Sequence, residues 1–230
     1  INFLYKLLIK PWHLFSFRRA DHLTVISNDL KKRAKKSGVK CLIEVVPNGV
    51  DLEKFKIKNE ELKIITKKLK LELGIESGKK VIITVSRLVK KNAVDDLIKA
   101  GQYLDSPFKI IIIGQGQDEQ KLKFLVEKLK FENKVIFLGQ IKHQDLPQYL
   151  SISDVFVRPS LSEGLGIAFL EAMAVGLPVI GTPIGGIPDF LRNRETGLFC
   201  QVRNPQDLAK KIEELFFNDQ LRERIIQNGQ

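Results

Sequence analysis

Five short, β-branched runs fall between residues 79 and 181, and apart from Thr84 and the leading Asp154 each is continuously apolar rather than alternating. They are VIITV (81–85), IIII (110–113), VIFL (135–138), DVFV (154–157) and PVI (178–180). A strand with one wet face would alternate polar and apolar residues. Unbroken apolar runs belong to parallel strands covered on both faces. Between them lie stretches with helical periodicity: NAVDDLIKAGQYL, QDEQKLKFLVEKL, QDLPQYLS and GIAFLEAMAV. Parallel strands need crossover connections, and helices supply them. The pattern predicts an α/β fold, a Rossmann-like open parallel sheet with helices on both faces and right-handed crossovers. NPQDLAKKIEELFFN and DQLRERIIQNG supply two closing helices.

The opening residues follow a separate rhythm. HLTVIS (22–27), a helical NDLKKRAKKSG and IEVVPNG (43–49) make one β-α-β piece. A lysine-rich stretch without a clear strand follows. The expected organisation is the end of one α/β domain over 1–50, a hinge or linker over 51–79, and a second α/β domain over 80–230. The first residues, INFLYKLLIKPWHLFSFRR, are apolar and basic but lack a small-residue cleavage site. They read as an internal piece of a longer protein. No apolar run reaches the roughly 18 residues of a membrane span.

Charge and sparse residue types narrow the function classes. The net charge of +11 is densest before residue 92, within helical stretches such as LKKRAKK and ITKKLKLEL, and reads as a solvated lysine-rich surface. No zinc finger, basic zipper or ribonucleoprotein pattern is present, so nucleic acid is not an expected partner. Cys41 and Cys200 are too few for a disulfide framework, which fits a reducing, cytoplasmic setting. His13, His22 and His143 are scattered without metal-ligand spacing, and no metal site is expected. In IIIGQGQDEQ, Gly114 and Gly116 lack the third glycine of a dinucleotide fingerprint, so a tight turn is expected and a hydride-carrying cofactor is not.

The segment SEGLGIAFLEAMAVGLPVIGT (162–182) carries the sharpest functional signal. In open parallel sheets, ligands bind outside the carboxyl ends of strands. Here the strand ends near Val157, a loop follows, and a helix begins near Gly166. Free backbone N–H groups at such a helix start suit a phosphate or diphosphate. Glu171 falls about one and a half turns into a helix of otherwise apolar residues. A carboxylate there is costly unless hydrogen-bond donors meet it, and the vicinal hydroxyls of a ribose are suitable donors.

The whole stretch PSLSEGLGIAFLEAMAVGLPVIGTPIGGIPD resembles the signature of the group 1 (family four) retaining glycosyltransferases, whose GT-B architecture has two facing Rossmann-like domains. The acid–seven residues–acid spacing is met by Glu163 and Glu171. ADHLTVISNDLKKRAKKSG and VVPNGVDLEKF resemble the end of that family's first domain and its hinge. VIITVSRLVKKN, VIFLGQIKHQDLPQYLSISDVFVRPS and TPIGGIPDFLRNRETGLFCQVRNPQDLA resemble successive parts of its second, donor-binding domain. The resemblance implies retaining transfer of a sugar from a nucleotide sugar (UDP-, GDP- or ADP-linked) to a glycan or lipid-linked acceptor in cell-envelope synthesis. It implies no bound metal and no cofactor beyond the donor, and peripheral membrane contact through the basic opening segment.

By the same resemblance Glu171 holds the nucleotide ribose and Glu163 contacts hydroxyls of the donor sugar. Backbone amides at Gly164, Leu165 and Gly166 hold the diphosphate. Gly139, Gln140 and Ile141 lie where the family's main chain meets the base. Arg87 matches the arginine that stabilises the departing diphosphate. One departure stands out: the family's lysine, five residues after the arginine and followed by glycine, corresponds to Asn92 and Ala93 here. Either the neighbouring Lys91 takes that role, which its flexible stem favours, or one cation is missing. A non-catalytic nucleotide-sugar-binding subunit of the same fold is the alternative function, and a sugar-nucleotide 2-epimerase-like enzyme a weaker third. A chain with most of the acceptor domain absent is expected to bind nucleotide but transfer little sugar.

Overall fold

The computed structural model describes residues 10–55 and 59–230, so the first nine residues of the basic opening segment lie outside the described ones. The chain divides into two compact units, 1–48 and 49–230. In the first, α1 (Lys10–Arg19) precedes a β-α-β piece made of β1 (His22–Val25), α2 (Asn28–Lys36) and β2 (Leu42–Val45). The two strands pair in parallel, His22 opposite Leu42 through Val25 opposite Val45. Ser27 caps α2 by accepting a hydrogen bond from the Leu30 N–H.

The second unit is built on a six-stranded, wholly parallel sheet. Its strands are β3 (Lys80–Val85), β4 (Phe108–Ile113), β5 (Val135–Gly139), β6 (Val155–Arg158), β7 (Val179–Gly181) and β8 (Leu198–Phe199). They run in the spatial order β5-β4-β3-β6-β7-β8. All five expected runs are strands within a residue or two at each end, while the two-residue edge strand β8 was not foreseen.

The unbroken apolar character of the strands has the cause inferred from the sequence. Along β3, Ile82 enters one core with Ile110, Ile112, Val155 and Val157. That face is covered by α5 (Val94–Ala100), α6 (Glu119–Lys128), α9 (Pro205–Phe217) and α10 (Asp219–Gly229). Val81 and Ile83 enter the opposite core with Ile111, Phe156 and Val179. Helices α4 (Asn59–Glu72), α7 (Leu146–Ser151) and α8 (Ile167–Ala174) cover that side. Each strand therefore alternates between two dry faces, and a polar residue at nearly any position would be buried without a partner.

Residues 51–79, expected as a hinge, instead hold α3 (Leu52–Phe55) and α4, with Phe55, Leu69 and Ile75 buried in the second core. The described residues of this segment are packed structure belonging to the second unit, stabilised by a few apolar anchors under a lysine-rich surface. At a general ~25 cal/mol per Å² of apolar area, each buried Leu, Ile or Phe stabilises by about 1.5–3 kcal/mol, enough to hold a helix with so polar an outer face.

Candidate functional site

The strand order reverses at β3, whose neighbours are β4 on one side and β6 on the other. Crevices at such switch points, outside the carboxyl ends of the strands, are where open α/β sheets bind ligands. A cavity of about 440 Å³ opens there. Val85, Ser86 and Arg87 enter it from the end of β3, Ile113, Gly114 and Gln115 from β4, and Gln140 and Ile141 from the loop after β5. Leu146, His143 and Glu171 complete the wall.

Two glycines explain how these loops reach one another. At Gly114, φ is +128°, and a Cβ would stand 1.9 Å from the Ser86 carbonyl oxygen. At Gly116 it would stand 2.2 Å from that of Leu88. The Gly-Gln-Gly turn is thus a place where two main chains touch beside the cavity, as a tight turn requires and a side chain would forbid.

Glu171 is buried on α8 and turns into the cavity rather than into the apolar core. His143 Nε2 donates a hydrogen bond to its Oε1 at 2.7 Å. The imidazole in turn packs edge-on against Phe55, 5.7 Å between ring centroids. A buried carboxylate that faces an open hollow and accepts from an exposed imidazole has a directed donor, which offsets part of its burial penalty. His143 is a site residue that sequence reasoning missed. Its partner is 28 positions away in the chain, so it read as an isolated histidine.

Arg87 is exposed and shares the cavity with Glu171. The next loop places the other candidates differently. Residues Lys90–Asn92 form a single 3₁₀ turn that closes at Ala93 with φ +50°, a left-handed conformation for which glycine is the natural residue. Within the turn Lys91 is exposed, and its carbonyl accepts from the Leu161 N–H at 2.6 Å, tying this loop to the one that carries Glu163. Asn92 is buried, and its Nδ2 donates to the Arg87 carbonyl at 2.7 Å. Neither side chain lines the cavity.

Glu163 also lies off the cavity wall, against Arg158 at the end of β6, with Arg158 Nη2 and Glu163 Oε2 2.6 Å apart and both side chains almost fully covered. Burial draws the Arg158 pKa down while the Glu163 charge acts against that. Glu163 Oε1 accepts from the Gly164 N–H at 3.1 Å. Leu165 is buried, and Gly166, at φ +97°, caps the start of α8. So Arg87, Gln140, Ile141 and Glu171 share one hollow, while Lys91, Asn92, Gly139, Glu163, Gly164, Leu165 and Gly166 are not among its lining residues. Two further wall residues, Ser86 and Gln115, were not singled out in the sequence. The Ser86 hydroxyl is buried and has no hydrogen-bond partner among the described residues. Nor do the described residues contain a cluster of three or more His, Cys, Asp or Glu arranged to hold a metal ion.

A family model described as glycosyl transferases group 1 matches residues 66–230, and one described as Glycosyltransferase Family 4 matches residues 2–54. The chain belongs to the group 1 glycosyltransferases. Among curated relatives it is 34% identical, over 206 residues, to a GDP-mannose-dependent monoacylated alpha-(1-6)-phosphatidylinositol monomannoside mannosyltransferase of Corynebacterium glutamicum, covering 85% of this chain and 52% of that protein. It is 33% identical over 155 residues to an N-acetyl-alpha-D-glucosaminyl L-malate synthase of Bacillus anthracis, 66% of this chain and 40% of the relative. This glycosyltransferase chain thus spans about half the length of those relatives.

Among solved structures, Anabaena HepE in complex with UDP and glucose superposes with a TM-score of 0.88 at 24% identity, covering 96% of this chain and 60% of the other, a likeness of fold. The C-terminal domain of a group 1 glycosyltransferase from Francisella tularensis is 27% identical with a TM-score of 0.67, covering 79% of this chain and 94% of that domain.

Proposed function

We propose that the cavity between the carboxyl ends of β3–β5 and helix α8 is the donor site of a retaining, metal-independent glycosyltransferase that uses a nucleotide sugar. The observation that carries this reading is the convergence of Glu171 and Arg87 on one hollow at the switch point of a group 1 chain. In it, the Glu171 carboxylate accepts from the ribose hydroxyls, and Gln140 and Ile141 meet the base from the neighbouring loop. The diphosphate lies toward Arg87 and the N-terminus of α8, with Lys91 on the adjoining loop. Glu163 holds hydroxyls of the donor hexose.

The chemistry follows from that placement. As the bond from the anomeric carbon to the diphosphate breaks, negative charge grows on the departing oxygens and positive charge on the sugar ring. Preorganised cations at Arg87 and Lys91 stabilise the first without a divalent ion. The acceptor hydroxyl attacks from the face the diphosphate leaves, and its proton departs with a phosphate oxygen. The relatives named above act with GDP-mannose on a phosphatidylinositol monomannoside or form an N-acetyl-alpha-D-glucosaminyl L-malate. We extend from them a glycan or lipid-linked acceptor in cell-envelope synthesis. Exposed Trp12 and Phe15 beside Arg18 and Arg19 on α1 support peripheral contact with an anionic membrane on the cytoplasmic side. No helix among the described residues is long and apolar enough to cross a membrane.

Calorimetric titration of UDP, GDP and ADP, alone and as hexose conjugates, tests the reading. One base series is expected to bind, with Glu171→Leu and Arg87→Ala each weakening it. Absence of heat with every nucleotide would sink it.

A further inference from the structure

A buried charged network linked to the cavity wall through Arg87 contains one charge, that of Arg158, which the donor-site reading does not use. Arg158 ends β6 with its side chain only 11% exposed. Its guanidinium Nη2 reaches Glu163 Oε2 at 2.6 Å and donates to Asn92 Oδ1 at 3.4 Å. Asn92 in turn donates to the main chain of Arg87. One connected path therefore runs from the cavity wall, through Asn92 and Arg158, to Glu163. The path is poorly satisfied. Arg158 Nε has no hydrogen-bond partner among the described residues, and the close contact with Glu163 Oε2 is off-line for a hydrogen bond. Stability alone does not favour such a pair, because well-packed apolar residues of similar volume are commonly as stable or more so.

What the pair achieves is the orientation of one carboxylate. The Glu163 main-chain carbonyl is held by the Gly186 N–H at 3.2 Å, its Oε1 by Gly164, and its Oε2 by Arg158. The left-handed Ala93 and the 3₁₀ turn before it send the Asn92 side chain inward and leave Lys91 outside. An ammonium carried on position 92 would follow the same inward course to the place where the Arg158 guanidinium already stands.

We propose that Arg158 is a positioning residue: it supplies from β6 a buried positive charge beside the inward-turned Asn92, and with it aims the Glu163 carboxylate at the donor hexose. The proposal rests on the reading of the cavity as a donor site. It makes positive charge at 158 and at 92 interchangeable, and it separates the hexose from the nucleotide, since Glu171 and Arg87 act on the latter.

Calorimetry of UDP, UDP-glucose, GDP and GDP-mannose tests this on the full chain. The readout is the ratio of the affinity for the sugar conjugate to that for its own diphosphate. Arg158→Met is expected to lower that ratio by about tenfold, the size of one charge-assisted hydrogen bond, with the diphosphate affinity held within about twofold. The exchange variant N92K/R158M is expected to restore the ratio to within about threefold of the original. Should Arg158→Met fail to fold, the exchange variant still decides, because it keeps one buried cation: a folded N92K/R158M with a lost ratio overturns the proposal. So does an Arg158→Met protein with an unchanged ratio, or with equal losses for diphosphate and conjugate, the mark of a merely structural residue. A starting protein that binds none of the four ligands refutes the donor site itself. One that binds UDP or GDP with nothing added by the hexose refutes only the assignment of Arg158.

Discussion

Replacing Glu171 with glutamine keeps the size and shape of the side chain and removes its charge, and it should expose what that carboxylate does. A carboxylate has about four acceptor positions. His143 uses one, at Oε1, so two ribose hydroxyls can be received without breaking that bond. Hydrogen bonds to a charged group contribute about 1.5–3 kcal/mol each, against about 0.5–1.5 kcal/mol for neutral ones. Loss of the charge across two such bonds therefore costs roughly 2–3 kcal/mol of nucleotide affinity, or about 30- to 150-fold. Removing both ribose hydroxyls deletes the two bonds outright and should cost about 3–6 kcal/mol, and the two losses should not add. The assay is a cycle of four calorimetric titrations: original and Glu171→Gln proteins, each with UDP or GDP and with the 2′,3′-dideoxy form of the same nucleotide. A coupling energy above about 1 kcal/mol is expected, with melting temperatures of the two proteins within a few degrees. Fully additive losses, or a glutamine variant that binds as tightly as the original, would refute the assignment of Glu171 to the ribose.

Three other perturbations follow from the same geometry. Arg87→Ala should weaken nucleoside diphosphates by about 1.5–3 kcal/mol while leaving the free nucleoside unaffected, since the guanidinium addresses the phosphates alone; parallel titrations of uridine and UDP, or guanosine and GDP, check it. Gly185→Ala should destabilise the fold by about 2 kcal/mol or more in urea unfolding, because φ there is +56° and a Cβ would stand 1.9 Å from the Glu163 carbonyl oxygen. Cys200, buried with its pKa pushed up to about 12, chiefly by burial, should resist a thiol reagent in the native protein. Partly exposed Cys41 should react, so one thiol is expected before unfolding and two after it.

Legibility in the sequence tracked how local each cause is. The sheet was readable because burial on both faces writes itself into consecutive residues: Val81, Ile82 and Ile83 have no polar neighbour among them to alternate with. ITKKLKLEL within α4 was readable as helical, but its attachment to the second unit was not, because that rests on the widely spaced Phe55, Leu69 and Ile75 while lysines dominate the composition. The acids Glu163 and Glu171 were visible through their spacing and their glycine-rich setting. Their partners were not: Arg158 reads as a strand end and His143 as an isolated imidazole until the fold closes the distance in space. The substitution of Asn92 and Ala93 for the family's lysine and glycine looked like a loop shift toward Lys91. The left-handed φ of Ala93 keeps the turn in a conformation natural for glycine, with Asn92 inside it and Lys91 exposed beside it.

A crystal structure of this chain with UDP or GDP bound tests the central claim most directly. The account predicts ribose hydroxyls within hydrogen-bond distance of the Glu171 carboxylate and the diphosphate between Arg87 and the start of α8. A nucleotide seated instead in the separate cavity formed by Lys90, Lys121 and Arg203, or one whose phosphates point away from Arg87, would contradict it.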